Sequence, residues 1–136
     1  MTTEQNKAIV TRINKEYIES KNENTVYELF APDFVNRTAP PGSPEGPQAI
    51  IYFFEQILRP GFPYLMVEIH DMIAEGDKVT TRKSIFAKHT GNFYGVPPTN
   101  RDVVMEIIDI VRLENGKYKE HWGILDVQGL MAQITS

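Results

Sequence analysis

The chain contains no cysteine among its 136 residues. Disulfide bonds, thiolate nucleophiles and zinc sites with sulfur ligands are therefore excluded. The chain also lacks an apolar run long enough to span a membrane, and its first seven residues are polar, unlike the apolar centre of a signal peptide. We therefore expect a cytoplasmic protein that makes no contact with a membrane.

Sequence motifs for several ligand classes are absent as well. There is no glycine-rich phosphate loop, no dinucleotide fingerprint and no serine nucleophile motif. The three histidines stand far apart, without the spacing of a metal site, so we expect neither a metal nor a cofactor. The net charge of −4 and the lack of a lysine or arginine run argue against nucleic acid as a partner.

The residues that are present suit one globular domain covering 1–136. The hydrophobic fraction of 41% is ordinary for such a domain. Apolar residues recur at helical spacing in the first half and alternate with polar residues in the second half, which predicts an α+β layer fold. The predicted helices are Glu4–Ser20, Thr25–Phe30, Pro47–Leu58 and Asp126–Ile134. The predicted strands are Asp33–Arg37, Leu65–Ile73, Val79–His89, Asp102–Leu113 and Lys117–Leu125.

Two segments carry a family resemblance. The first is His89–Arg101, a loop rich in glycine and proline between two predicted strands. The second is Glu120-His121-Trp122, followed by the run Asp126–Leu130. With these segments in this order, the chain resembles the SnoaL-like polyketide cyclase family from about Ile9 to Ile134. The resemblance implies a cone-shaped α+β fold like that of nuclear transport factor, in which a curved, mainly antiparallel sheet packs against about three N-terminal helices.

The turn at Asn115-Gly116 decides which polar side chains share a face of the last hairpin. With two residues in the turn, Asp109 lies opposite Trp122, and His121 points to the other face. With three residues in the turn and a bulge at Gly116, Asp109 lies opposite His121. The two alternatives exclude each other, because a shift of one residue exchanges the faces of a strand.

We favour the three-residue turn, in which Leu113 pairs with Lys117. The positions implied by the resemblance as active-site positions, Ile107 and Gly123, pair with each other only in that register. It also gives the two strands a common, mostly apolar inner face, which consists of Met105, Ile107, Asp109, Val111, His121, Gly123 and Leu125.

In that register Asp109 and His121 are candidate catalytic residues. A carboxylate beside an imidazole fixes the tautomer of the ring, which can then pass a proton near neutral pH. The alternative is a structural cross-strand pair that satisfies two polar groups.

Further candidates for substrate binding lie around this pair. Asn36 and Arg37 precede a proline-rich loop, Ala39–Pro47, that is long enough to form a lid or a pocket rim. His89 heads the glycine- and proline-rich segment and either lines the mouth of the pocket or bonds to the backbone of the loop. Met105, Ile107 and Trp122 complete the set, although Trp122 alternates away from His121 and also suits a dimer interface or packing against a helix.

The resemblance implies an aspartate as general acid/base three residues before the Asp-x-Gln-Gly motif, but this chain has Gly123 there. The substrate-contacting glutamine implied in the neighbouring strand is replaced by Ile107. Two hypotheses follow. The protein is either a cofactor-independent enzyme that cyclises, isomerises or hydrolyses a small carbonyl compound, or a non-catalytic binding protein for a hydrophobic small molecule. The apolar outer face of the predicted sheet further favours a homodimer.

Overall fold

The computed structural model describes residues 1–136. Helix α1, Thr3–Arg12, continues as a wider, π-helical segment over Ile13–Glu19, and α3, Pro47–Tyr52, continues in the same way over Phe53–Leu58. The remaining helices are α2, Glu23–Leu29, and α4, Val127–Thr135. The strands are β1, Phe30–Asn36; β2, Leu65–Glu75; β3, Lys78–Lys88; β4, Asp102–Glu114; and β5, Lys117–Leu125.

The five strands form one sheet in the order β1-β5-β4-β3-β2. The neighbours from β2 to β5 are antiparallel, whereas β1 is parallel to β5, so the sheet is mixed. The curved sheet is not closed, and the helices that precede β2 pack against one side of it. The prediction of an α+β cone with a mainly antiparallel sheet and about three N-terminal helices is therefore confirmed.

Capping residues explain where several helices begin. The side chain of Thr2 accepts a hydrogen bond from the backbone of Gln5, and the side chain of Gln5 bonds back to Thr2, which forms a capping box. Pro47 occupies the first turn of α3, where a missing N–H costs nothing. Asp126 accepts a hydrogen bond from the backbone N–H of Gly129 at 2.9 Å and caps α4.

None of the helices has the length and the apolar character that are needed to span a membrane.

The turn between β4 and β5 differs from our prediction. Asn115 and Gly116 both have positive φ, 52° and 75°, and Glu114 pairs with Lys117, so the turn contains two residues. The three-residue turn, with Leu113 paired with Lys117, was therefore wrong. Leu113 pairs instead with Tyr118.

A bulge in β5 then restores the face that we had predicted. Arg112 pairs with Glu120, so Lys119 is an extra residue on β5 and the register beyond it shifts by one. As a result, Asp109 pairs with Gly123, while His121 pairs with Val111. The predicted direct pairing of Asp109 with His121 was wrong, but the two side chains do share a face.

We call the side of the sheet that faces the helices the inner face and the other side the outer face. Core residues from the helices, such as Ile13 and Tyr17, are almost fully buried together with the inner-face residues Met105 and Val111. Polar residues are also buried on this face. The outer face carries several exposed apolar side chains, namely Met66, Ile73, Phe86, Ile108 and Ile124.

Candidate functional site

A chain of polar side chains crosses the inner face of β3, β4 and β5. Its centre is Asp109, whose Oδ2 lies 3.3 Å from Nε2 of His121. Nδ1 of His121 lies 3.0 Å from Oδ1 of Asn36, at the end of β1. Asn36 in turn accepts a hydrogen bond from the hydroxyl of Thr38 at 3.0 Å. The structure therefore brings three of the predicted site residues, Asp109, His121 and Asn36, into one connected group.

The contact between Asp109 and His121 is diagonal across the sheet and depends on Gly123. Asp109 directly faces Gly123, which has no side chain, so the ring of His121 leans into the free space. A Cβ atom at position 123 would lie 2.6 Å from Cε1 of His121 and 3.3 Å from Cβ of Asp109. The glycine is thus a steric requirement for this geometry.

Lys83 on β3 contacts Asp109 from the opposite side. Its Nζ lies 3.6 Å from Oδ2 of Asp109 and donates a hydrogen bond of 2.7 Å to Oδ1 of Asn14. Lys83 is 4% exposed and Asn14 is 2% exposed, so both belong to the interior. Neither residue was predicted from the sequence as part of the site. The alternation Val79, Thr81, Lys83, Ile85 in β3 was a signal for Lys83, because it places the lysine on the buried side of the strand.

The environment of Asp109 favours its charged form. Burial acts to raise the pKa of its carboxyl group, but the Lys83 ammonium and the hydrogen bond from His121 outweigh that effect. The net result is a pKa below the ordinary value for aspartate. The other carboxyl oxygen, Oδ1, and the hydroxyl of Thr81 directly across from Asp109 are buried without a hydrogen-bond partner. The protein itself therefore leaves two polar atoms at the centre of the polar chain without a hydrogen bond.

Both ring nitrogens of His121 face hydrogen-bond acceptors. The backbone N–H of Thr38 donates to Oδ1 of Asn36 at 3.2 Å, which fixes that atom as the oxygen of the amide. Nδ1 of His121 points to this oxygen, and Nε2 points to the carboxylate of Asp109. While Asp109 is ionised, only the doubly protonated imidazolium donates a hydrogen bond at both positions.

The polar chain is accessible on the side of β5. The side chain of His121 is 22% exposed, compared with 11% for Asp109. Ile107 and Leu125 on the same face are also only partly buried. A molecule that approaches along β5 therefore meets His121 before it meets Asp109.

A depression of about 690 Å³ runs along β4 and β5. It includes Asp109, Gly123 and Thr38, but most of its lining side chains belong to the outer face by their register. It is therefore mainly a groove of the outer face and not the interior of the cone. The lining residues on the outer face are Arg82, Glu106, Ile108, Ile110, Trp122 and Ile124.

Several predicted site residues lie away from the polar chain. Arg37 is half exposed and forms a salt bridge of 2.7 Å with Glu120. Trp122 pairs with Ile110 on the outer face. Met105 is fully buried in the core, on the same face as Ile107, which is partly exposed.

His89 is fully buried and organises the loop that follows β3. Its Nδ1 accepts a hydrogen bond from the backbone N–H of Thr99 at 3.2 Å, and its ring lies 5.2 Å from that of Phe62. Two roles were predicted for His89, and the geometry matches the hydrogen bond to the backbone of the loop. No cluster of three or more histidine, aspartate or glutamate side chains in residues 1–136 is arranged to hold a metal ion.

Comparison with known proteins places this chain in a family. Residues 8–134 match the sequence model of the SnoaL-like polyketide cyclases. The chain belongs to the SnoaL-like polyketide cyclase family. It is similar to the nogalonic acid methyl ester cyclase of Streptomyces nogalater, with 26% identity over 110 residues that cover 80% of this chain and 82% of the relative.

Solved structures of SnoaL-like proteins have the same fold. IdmH of Streptomyces antibioticus, a protein assigned as a polyketide cyclase, superposes with a TM-score of 0.85 at 28% identity, covering 97% of this chain and 99% of IdmH. A SnoaL-like protein of Jannaschia sp. CCS1 superposes with a TM-score of 0.84 at 25% identity, covering 98% and 94% of the two chains. In this chain, Asp109 and His121 contact each other above Gly123. The family resemblance implies an aspartate at that position.

Proposed function

We propose that this SnoaL-like protein is a cofactor-independent enzyme that transfers protons on a small, largely apolar carbonyl compound. The reaction is an aldol cyclisation, an isomerisation or a hydrolysis. The observation that carries the proposal is the contact between Asp109 and His121 above Gly123. A buried carboxylate that orients an imidazole is a common arrangement for general acid/base catalysis. Family membership supports the reaction class.

In this proposal His121 is the proton-transfer residue and Asp109 orients it. His121 is the more exposed of the two, and Asp109 has a lowered pKa, which makes its carboxylate a weak base. Asp109 holds the N–H at Nε2, so Nδ1 is the atom that exchanges a proton with the substrate. Asn36 lies beside Nδ1 and accepts its proton in a hydrogen bond when the ring is doubly protonated. The apolar part of the substrate packs against Ile107 and Leu125.

Exchange of carbon-bound hydrogen tests the proposal without knowledge of the product. Small ketones and β-dicarbonyl compounds are incubated with the protein in D2O, and loss of the signal of the hydrogen next to the carbonyl is followed by NMR. We expect wild-type protein to accelerate the exchange for at least one compound. His121→Gln should slow that exchange by about two to four orders of magnitude, the usual contribution of a proton-transfer group.

His70→Gln is the matched control, because His70 lies on a different strand, where its Nε2 contacts Ser84 at 2.7 Å. This variant should exchange at the wild-type rate. Equal rates for wild type and His121→Gln would contradict a catalytic role of His121.

One observation favours the second candidate function, a non-catalytic binding protein for a hydrophobic small molecule. Both ring nitrogens of His121 are already engaged by protein acceptors, as in a structural pair. In that case a carbonyl compound would bind, measured by isothermal titration calorimetry, but no protein-dependent exchange of its hydrogen would occur.

We also propose that the protein forms a homodimer through the outer face. Ile108 and Ile124 pair with each other there and are 52% and 70% exposed. Exposed apolar side chains that lie together on one sheet usually mark an interaction surface. Ile124→Glu should therefore convert a dimer into a monomer in sedimentation velocity, whereas Tyr52→Glu, on the helical side, should not. A wild-type monomer at micromolar concentration would exclude this interface.

A further inference from the structure

We infer that Lys83 makes the polar interior of the cone a site for a ligand with an anionic oxygen. The inference rests on the proposed function, because it concerns the same pair of Asp109 and His121, and it adds the charge of the group bound beside them. Neither the family resemblance nor the sequence motifs involve Lys83. Its burial is the first observation: an ammonium group that is 4% exposed is costly unless other charges compensate it.

The balance of charges around Asp109 depends on the protonation of His121, since Lys83 and Asp109 balance each other only while the ring is neutral. One carboxylate oxygen, Oδ2, contacts both Nζ of Lys83 at 3.6 Å and Nε2 of His121 at 3.3 Å. Asn14, the remaining partner of Lys83, is neutral. Tyr118, also buried beside Asp109, is neutral too, because burial and the nearby carboxylate raise the pKa of its phenol. When both nitrogens of His121 carry a proton, two cations surround one anion, which leaves one positive charge in excess.

A proton transfer from the substrate to the neutral ring would create the second cation and the second anion in one step. When Nδ1 of His121 takes a proton from the carbon next to a carbonyl group, the electron pair of the C–H bond forms a C=C bond. The π pair of the C=O bond moves to the oxygen, which gives an enolate. The site then holds two cations, Lys83 and His121, and two anions, Asp109 and the enolate oxygen. Lys83 is thus a positioning residue that acts through charge, and it does not itself contact the ligand.

Binding of para-nitrophenol tests the inference with a stable molecule. Its phenolate is a planar, delocalised oxyanion, and the absorption spectrum distinguishes the phenolate from the phenol. We expect wild-type protein to bind the phenolate at least about tenfold more tightly than para-nitroanisole, the uncharged compound of similar shape. The bound nitrophenol should also be more ionised than free nitrophenol at the same pH.

Variants of Lys83 test whether its charge causes the preference for the phenolate. Lys83→Met removes the charge and should weaken phenolate binding by roughly tenfold to a hundredfold, as expected for one charge at about 7 Å and an effective dielectric constant of about 20. Binding of para-nitroanisole should not change. Lys83→Arg should restore the preference for the phenolate. Lys88→Met is the matched control on the same strand, since Lys88 is 54% exposed and bridges to Asp102.

Two outcomes would overturn the inference. The first is a folded Lys83→Met protein that retains the phenolate preference. The second is wild-type protein that binds the two probes equally, which decides the question even if Lys83→Met does not fold. The proposed function is judged separately by hydrogen exchange. Exchange that depends on His121, combined with an unchanged preference in Lys83→Met, would refute only the role of Lys83. A lysine-dependent preference without exchange would refute only the catalysis.

Discussion

The imidazole ring of His121 occupies the space above Gly123 in which a side chain would otherwise lie. A Cβ atom at position 123 would be 2.6 Å from Cε1 and 2.9 Å from Nε2 of the ring, well inside van der Waals contact. The family resemblance leads one to expect an aspartate at this position. The glycine therefore does more than remove a carboxyl group, because its small size allows His121 to reach Asp109.

Gly123→Ala should separate His121 from Asp109. The added methyl group forces the ring to rotate away, and overpacking of this kind costs about 1–3 kcal/mol of stability. We expect a lower urea midpoint together with a changed NMR signal for the His121 ring. Gly123→Ala should also slow any hydrogen exchange that depends on His121. An unchanged ring signal in the variant would show that the ring does not need the free space.

Much of the fold could be predicted from the sequence because its signals are local. Helical spacing before Leu58 and alternation after Tyr64 indicated the helices and hairpins that the structure contains. The common face of Asp109 and His121 was also predicted, but for the wrong reason. The turn at Asn115-Gly116 has two residues, and an extra residue in β5 compensates. Because Lys119 is neither a glycine nor next to a proline, no residue in the sequence signalled this bulge.

The partners of Asp109 could not be predicted in the same way. Its contact with Lys83 is diagonal, since Lys83 pairs with Ile107 while Asp109 pairs with Thr81. Its contact with His121 is diagonal as well. Such contacts depend on the register of three strands and on the space at Gly123, so alternation within one strand identifies the face but not the partner.

The bulge at Lys119 accommodates one extra residue in β5. Deletion of Lys119 removes that residue and leaves a regular two-residue hairpin, in which Glu120 still pairs with Arg112 and His121 still pairs with Val111. We therefore expect the deletion variant to unfold cooperatively, as measured by circular dichroism and urea titration, and to keep the NMR signal of the His121 ring. Lys119→Ala keeps the residue count and loses salt bridges to the exposed carboxylates of Asp33 and Glu114, which contribute little. Loss of cooperative unfolding in the deletion variant but not in Lys119→Ala would show that the sheet needs the bulge itself and not only the pairing beyond it.

Asp109 and Lys83 should be energetically coupled. Asp109→Asn leaves the Lys83 ammonium buried without a counter-ion, which typically costs about 3–5 kcal/mol, and Lys83→Met leaves the carboxylate in a similar position. The double variant removes both charges, so we expect it to be more stable than the sum of the two single effects predicts. Urea unfolding of the four proteins gives the coupling energy. Strictly additive effects would mean that the two groups, 3.6 Å apart, do not interact appreciably.

The stability that Asp109 contributes should depend on pH in the acid range. Burial alone would raise the pKa of Asp109, but Lys83 and His121 lower it below its ordinary value of about 3.9. A group whose pKa is lowered by folding stabilises the protein above its ordinary pKa, and this contribution is lost as the pH falls through the lowered, folded-state value.

The comparison of wild type with the double variant Asp109→Asn/Lys83→Met isolates this contribution. Other carboxylates with lowered pKa values, such as Glu16 and Glu120, are present in both proteins and cancel. As the pH falls below about 4, the difference in unfolding free energy should shift against the wild type. A difference that stays constant through the whole acid range would show that Asp109 is not held in its ionised form by Lys83 and His121.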